Sequence, residues 1–374
     1  MVPLKYTLRS LRERKARTIM TVVGVALAVT IYAVMSSVAA TMVKSFRSTG
    51  TPTEVVVAQT GALTLEFSNI ERGSLSYIQT LQGVANTGGR PMVSPELWLG
   101  CILRSDQRGR DVSVRGVTDI ARHVYGQVSL GAGGWPGPGH RAAVGRAVAG
   151  RLGLAVGESV EFEGERWLIV GLLDGGGRVY DQEIWVDLDE LAAAANRLTY
   201  SSYTVVVTDS ATVAPLVETV NEGRRFPLTA MGAMEFYART GGMEIFMAFL
   251  GTFISLVIAI GAGFAGMNTM YAAVANRRRE IGVLRALGYR SSSVLMSFLL
   301  ESIVLCLAGG VIGLSLGLAL SLVPIDLPLL PSSHVGLGMP QVLQSLLLAF
   351  GVGIVGGGLP ALQAARLQVV DALR

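Results

Sequence analysis

Lysine is nearly missing from this sequence: its 374 residues hold Lys5, Lys15 and Lys44 and no others, against 28 arginines. None of the three follows a glycine. A phosphate-cradling loop needs Gly-Lys followed by Ser or Thr, because that lysine reaches the β- and γ-phosphates and the hydroxyl holds the metal. These residues therefore contain no P-loop with which to hydrolyse ATP. Histidine and cysteine are as scarce. His123, His140 and His334 stand singly, and neither they nor Cys101 and Cys306 have the spacing of a metal site or a disulfide framework. The segment LWLGC ending at Cys101 looks slightly like a lipoprotein box but lies far from any N-terminal apolar run. No HExxH is present, and Glu161 with Glu163 reads as the solvated face of a strand. Neither a catalytic residue, a cofactor nor a metal is expected on this chain. Charge is thin as well, at 16% against 51% hydrophobic residues. With a mean hydropathy of +0.50, that is too apolar for an ordinary soluble domain.

What the sequence has is long uncharged runs. Four candidate membrane-spanning helices fall at 18–43, 244–275, 292–323 and 339–365, each long enough for a hydrocarbon core of ~30 Å. The first follows a basic stretch, as a signal peptide would. Its apolar run exceeds the roughly 7–15 residues of such a signal and no small-x-small site closes it, so it is expected to be retained. Positive charge is lopsided. Lys5, Arg9, Arg12, Arg14, Lys15 and Arg17 precede the first span, Arg277, Arg278, Arg279, Arg285 and Arg290 lie between the second and third, and Arg366 and Arg374 follow the fourth. The loop at 324–338 has none. Basic flanks stay inside, so both termini and the 276–291 insert are expected on the cytoplasmic side of the membrane. Leu4, Leu8 and Leu11 share one face of a helix within 1–17, which reads as an amphipathic helix on the inner surface. Residues 366–374 are expected to form a cytoplasmic tail. Two features mark the spans: Gly309, Gly310, Gly313 and Gly317 form a small-residue packing seam, and Glu301 is an acid within the third span. Such an acid must face protein, water or the inner interface.

Residues 44–243 then form a large external domain, because long domains translocate largely regardless of charge. Its pattern is α+β. Strands are expected at 53–59, 97–104, 111–117, 159–162, 166–172, 183–186 and 203–208, and helices at 75–81, 141–152, 188–198 and 214–222, with glycine-rich loops at 131–139 and 174–177. A methionine and aromatic cluster, Met231, Met234, Phe236, Tyr237, Met243, Phe246 and Met247, precedes and enters the second span; it suits a hydrophobic ligand, but ordinary interfacial packing is the first expectation.

The insert reads NRRREIGVLRALGYRSSSV. As a helix it places Ile281, Leu284, Leu287 and Gly288 on a stripe edged by Arg278, Glu280 and Arg285, with Gly288 at a C-cap position. A topology signal needs only the arginines; an ordered apolar stripe is what a partner groove accepts. Here the sequence resembles a known family. The runs REIGVLRALG (279–288), FLLESIVLCLAGGVIGLSLG (298–317) and GGGLPALQAARLQVVDALR (356–374) are similar to the FtsX-like permease domain of type VII ABC transporters, the MacB superfamily. The run VGRAVAGRLGLAVGESVEFEGERWLIVGLLD (144–174) is similar to the MacB-type core domain. The resemblance implies four membrane helices with that core domain inserted between helices 1 and 2. It also implies a permease subunit that works with a second permease copy, identical or paralogous, and with two separate ATPase subunits of the lipoprotein-releasing or MacB-like type, which would carry the ATP and Mg. An external adaptor and membrane lipids are further implied partners; nucleic acid is not. ATP turnover inside would move the external domain by mechanotransmission, for export or extraction of a substrate or, alternatively, for control of an envelope hydrolase or sensor. By the family's motif, coupling to the ATPase falls on Arg279, Glu280, Ile281, Leu284, Arg285, Leu287 and Gly288.

Overall fold

The computed structural model describes residues 15–105, 108–240, 242–321 and 337–366. The amphipathic face at Leu4, Leu8 and Leu11, most of the 324–338 loop and the tail after Arg366 lie outside them. The chain divides into two compact units, one built from the long apolar helices and one from the segment between the first two of them.

The first long helix, α1 (Lys15–Ser48), leads into the interspan domain. In chain order that domain contains β1 (Glu54–Gln59), α2 (Ser74–Gln79), β2 (Asn86–Thr87), β3 (Arg90–Pro91), β4 (Val93–Ser105), β5 (Arg108–Val117), α3 (Ala121–Val124), β6 (Ser129–Gly133), β7 (Arg141–Gly145) and α4 (Arg146–Leu152). It continues through β8 (Ser159–Phe162), β9 (Glu165–Asp174), β10 (Glu183–Asp187), α5 (Leu188–Ala194), β11 (Ser202–Val206), α6 (Val213–Glu222), β12 (Leu228–Gly232) and α7 (Ala233–Thr240). Nine strands form one mixed sheet in the order β12-β1-β11-β4-β5-β10-β7-β9-β6, with β8 added on β9. Side chains alternate across a strand, so Val55, Val57, Leu97, Val114, Ile184 and Val186 fill a core on one face. The intervening Val56, Trp98 and Trp185 pack on the other.

Three expectations for this domain change. The stretch expected as one helix over 141–152 is a strand followed by a helix. Ala142, Ala143 and Val144 are fully buried in the middle of the sheet, where ladder pairing with β9 and β10 overrides the helix preference of alanine. The glycine-rich loop begins as β6, an edge strand whose Gly133, at φ +74, lies so close to β9 that an added Cβ would sit 2.1 Å from the Val170 carbonyl oxygen. The β12 edge strand was not expected, since LTAMG carries a single β-branched residue. Glu161 lies on β8 with its side chain exposed; Glu163 is exposed too, but in the following turn at φ +51.

Three further helices, α8 (Gly242–Asn276), α10 (Ser291–Ser321) and α11 (Met339–Arg366), join α1 in the second unit, with the short α9 (Arg278–Ala286) between α8 and α10. All four long helices are long and apolar enough to cross a membrane. The expected glycine seam lies on two contacts rather than one. Gly309, Gly313 and Gly317 face α1, where a Cβ at Gly313 would stand 2.5 Å from the Ala26 carbonyl oxygen, while Gly310 faces Ala349 of α11. Thr30 Oγ1 donates to the Gly313 carbonyl at 3.0 Å across the same contact. Gly313→Leu should therefore wedge α1 from α10 and destabilise the detergent-solubilised chain by roughly 1–3 kcal/mol. Gly261→Leu, where a Cβ meets nothing within 4 Å, should have little effect; equal thermal midpoints for the two variants would contradict this packing.

Candidate coupling site

The nine residues of α9 follow directly on α8 and turn into α10. Gly288, at φ +90, closes its C-terminal end, its N–H reaching the Arg285 carbonyl at 3.1 Å. Residues four apart lie on one helical row, and the row Arg277, Ile281, Arg285 is turned into the bundle. Ile281 is 2% exposed among Met270, Val274, Val294, Phe298, Ala361 and Ala364, side chains of α8, α10 and α11. Arg277 Nη1 lies 3.3 Å from Glu301 Oε2, and Glu301 is 6% exposed. Arg285 Nη1 donates to the Ala365 carbonyl at 2.7 Å and to the Ser291 hydroxyl. Glu301 thus faces protein, held by the arginine that precedes α9.

This placement turns part of the expected docking stripe toward the bundle. Ile281 and Arg285 are committed to the chain's own helices, because a helix this short, wedged against three helix ends, must bury one of its rows. The row Arg279, Val283, Leu287 points away from the bundle. Val283 is 48% and Leu287 72% exposed, flanked by exposed Arg278 and Glu280. The Leu284 side chain lies outside the described residues. Val283 was not expected at this surface: α9 carries apolar residues on two rows, and the sequence does not say which row meets the bundle.

The interspan domain holds a second polar centre, which the sequence did not disclose. Arg115 on β5 is fully buried, with Trp98 of β4 and Trp185 of β10 as its register partners on either side. Its guanidinium lies 3.9 Å from the centre of the Trp98 ring. It donates to Glu183 at 2.6 Å, to the Tyr125 hydroxyl at 2.7 Å and to Glu96 at 3.5 Å. The Tyr125 hydroxyl in turn donates to Glu96, and the indole N–H groups of Trp98 and Trp185 donate to Glu96 and Glu183. Burial alone would pull the guanidinium pKa down, but Glu183, Tyr125 and Glu96 outweigh it and hold Arg115 above its usual range. Tyr237 of α7 is buried near this centre, and burial pushes its hydroxyl up to about 12. Burial does the same for Tyr203, also to about 12. Tyrosine titrates near ~10 when unfolded, so these groups are raised in the folded state. Their contribution is complete below about pH 10 and is lost as pH rises through about 12. All four tryptophans lie in this domain, so their emission during denaturant unfolding of the full chain reports its stability. That stability should hold from pH 8 to 10 and fall above; a flat profile to pH 12 would contradict the burial of these hydroxyls.

Comparison with known proteins matches residues 18–222 to the MacB-like periplasmic core domain and residues 252–369 to the C-terminal domain of FtsX-like permeases. The chain is 36% identical over 134 residues to a macrolide export ATP-binding/permease protein MacB of Yersinia pestis, covering 36% of this chain and 20% of that one. It is 38% identical over 135 residues to the MacB protein of Escherichia coli O157:H7, with the same coverage. It thus spans about a fifth of the length of these curated relatives. Among solved structures, the periplasmic region of MacB from Actinobacillus actinomycetemcomitans aligns at a TM-score of 0.40 and 12% identity over 53% of this chain and 97% of that one. The extracellular domain of the transporter YknZ aligns at 0.38 and 12% over 48% and 99%. The core-domain match alone covers more than half of the chain, and the permease match takes in α9, α10 and α11 together with α8 from residue 252 onward: the chain belongs to the FtsX/MacB-type family of ABC transporter permeases, with a large extracytoplasmic α+β domain between its first and second membrane helices.

Proposed function

We propose that this chain is the permease subunit of an ATP-driven transporter that exports or extracts its substrate from the outer leaflet or periplasm by mechanotransmission. Two copies would work with two separate ATPase subunits, each docked on the outward row of α9 in the cytoplasm. The observation that carries this reading is the division of α9 into two working faces. Val283 and Leu287 offer a partner an apolar grip, while Ile281, the Arg277–Glu301 pair and the Arg285–Ala365 hydrogen bond fasten the opposite face to α8, α10 and α11. A displacement of α9 is then passed to all three helices together, since close-packed interiors transmit strain rather than absorb it.

At the other end of α1 the chain is also tied down. Arg178 Nε donates to the Ser48 carbonyl at 2.8 Å, and the Val179 N–H donates to Thr49 Oγ1 at 3.0 Å. Gly50 lies against Ala233 at the start of α7, where a Cβ would be 2.8 Å from its carbonyl carbon. α7 leads into α8 after a single residue, so the chain leaving the first span and the chain approaching the second meet in one packed joint of the domain. Such a joint suits a domain moved by its stalks. The MacB relatives are macrolide exporters by name; for this chain a macrolide-like substrate class follows by analogy, with an external adaptor as a further partner. Co-expression with candidate ABC ATPases and purification through the permease tests the assembly. ATP-dependent movement of a substrate in proteoliposomes supports export, whereas ATP-dependent binding of an envelope hydrolase with nothing moved would favour the signalling alternative.

A further inference from the structure

We infer that the seam between α8 and α11 is a binding site for an anionic phospholipid of the cytoplasmic leaflet; this rests on the orientation proposed above. The seam contains a groove of about 320 Å³ walled by Leu256, Phe264 and Met267 of α8 and by Leu348 and Val355 of α11. Glycines leave space in it: Gly263 and Gly351 both line it, and a Cβ at Gly351 would meet nothing within 4 Å. This gives a use to the glycine run at 351–358, which the contacts to α10 explain only in part: Gly353 and Gly357 face α10, and Gly351 does not.

The chemistry changes at the α9 end of the same seam. There a second cleft, of about 480 Å³, is lined by Tyr271, Leu359, Leu362, Gln363 and Arg366. Its positions continue the groove's stripe at helical spacing, from Met267 to Tyr271 on α8 and from Val355 to Leu359 and Leu362 on α11. From Leu256 to Tyr271 the groove runs about 22 Å, more than half of a hydrocarbon core of ~30 Å. An acyl chain lying in it would therefore run through its own leaflet. At the end where the headgroup would lie, an exposed arginine, an amide and a phenol supply one positive charge and several hydrogen-bond donors. Basic clefts between membrane helices at the cytoplasmic face are suited to anionic headgroups. A second copy's apolar helix would fill the groove but would leave the arginine, amide and phenol without a counterpart, so charge complementarity selects the lipid.

The test is native mass spectrometry of the full chain, extracted in mild detergent and exposed to phosphatidylglycerol or phosphatidylcholine, without any ATPase. The wild type should retain phosphatidylglycerol in preference. Arg366→Gln should lower that retention about fivefold, the weight of one basic side chain near an anionic surface, and leave phosphatidylcholine unchanged. Gly351→Leu, which fills the groove, should lower both. No retained lipid in the wild type, or retention indifferent to both substitutions, would overturn the inference. So would efficient cross-linking of two copies through Ile260→Cys, which shows a second chain in the groove. Because no ATPase is present, failure of ATPase docking on α9 leaves every one of these readings unchanged.

Discussion

Arg115→Met is expected to lower the thermal midpoint of the extracytoplasmic domain by roughly 6–20 °C, read from tryptophan emission of the full chain in detergent. The substitution keeps an apolar stem of similar length between Trp98 and Trp185 but removes the charge. Glu96 and Glu183, each 1% exposed, are then left without their guanidinium. Breaking a buried pair from one side costs about 3–5 kcal/mol, because the abandoned charge remains desolvated, and for a domain of about 200 residues each kcal/mol moves the midpoint by roughly 2–4 °C. Glu54 adds to the strain: it is buried, burial raises its pKa, and Glu96 raises it further. Neutralising both partners as well, with Glu96→Gln and Glu183→Gln, should recover part of the loss, since amides cost less to bury than carboxylates. The pair Arg146–Asp174, with side chains 73% and 32% exposed, is the control, and Arg146→Ala should cost under ~1 kcal/mol. Equal effects of Arg115→Met and Arg146→Ala would mean that the buried centre does not hold this domain.

Changing Val283 and Leu287 together to aspartate should abolish co-purification of the ATPase while the permease remains folded. Neither side chain is buried in the bundle, so aspartate at these positions stays in solvent in the isolated subunit. In the complex each would have been covered, and burying a Val or Leu side chain contributes about 1.5–3 kcal/mol. Losing both weakens docking by roughly 10²- to 10⁴-fold, before any cost of desolvating the new carboxylates. Ile281→Asp should fail differently. Its side chain lies among Met270, Val294 and Phe298, so the charge would disrupt the helix ends, and the variant should aggregate or lose thermal stability without an ATPase present. An ATPase that still co-purifies with the double aspartate variant would move the docking surface elsewhere.

The four spans and the first strand of the domain were legible because each rests on a strong local signal: apolar length for α1, α8, α10 and α11, and a β-branched run for β1. The RAAVGRAVAGRL segment was not, because alanine and glycine carry no period, and only pairing across the sheet decides that Ala142 to Val144 extend while Arg146 to Leu152 coil. The location of α9 could be read from its arginines, but its facing could not. Ile281 and Leu287 look alike in sequence, and packing against Phe298 and Ala361 is what separates them. Arg115 was equally hidden. Its partners Glu96 and Glu183 come from β4 and β10, and nothing local marks an arginine in RDVSVRGV as buried. Such centres become visible only once the register places Arg115 between two tryptophans.

Site-specific photo-cross-linking from α9, in membranes containing permease and ATPase, tests the central claim most directly. A photo-reactive amino acid at position 287 should give an adduct whose mass-spectrometric peptides include a Gly-Lys-Ser or Gly-Lys-Thr phosphate-binding loop, and the same probe at position 281 should give none. An ATPase adduct from position 281 and not from 287, or from neither, would contradict the assignment of the outward row of α9 as the ATPase handle.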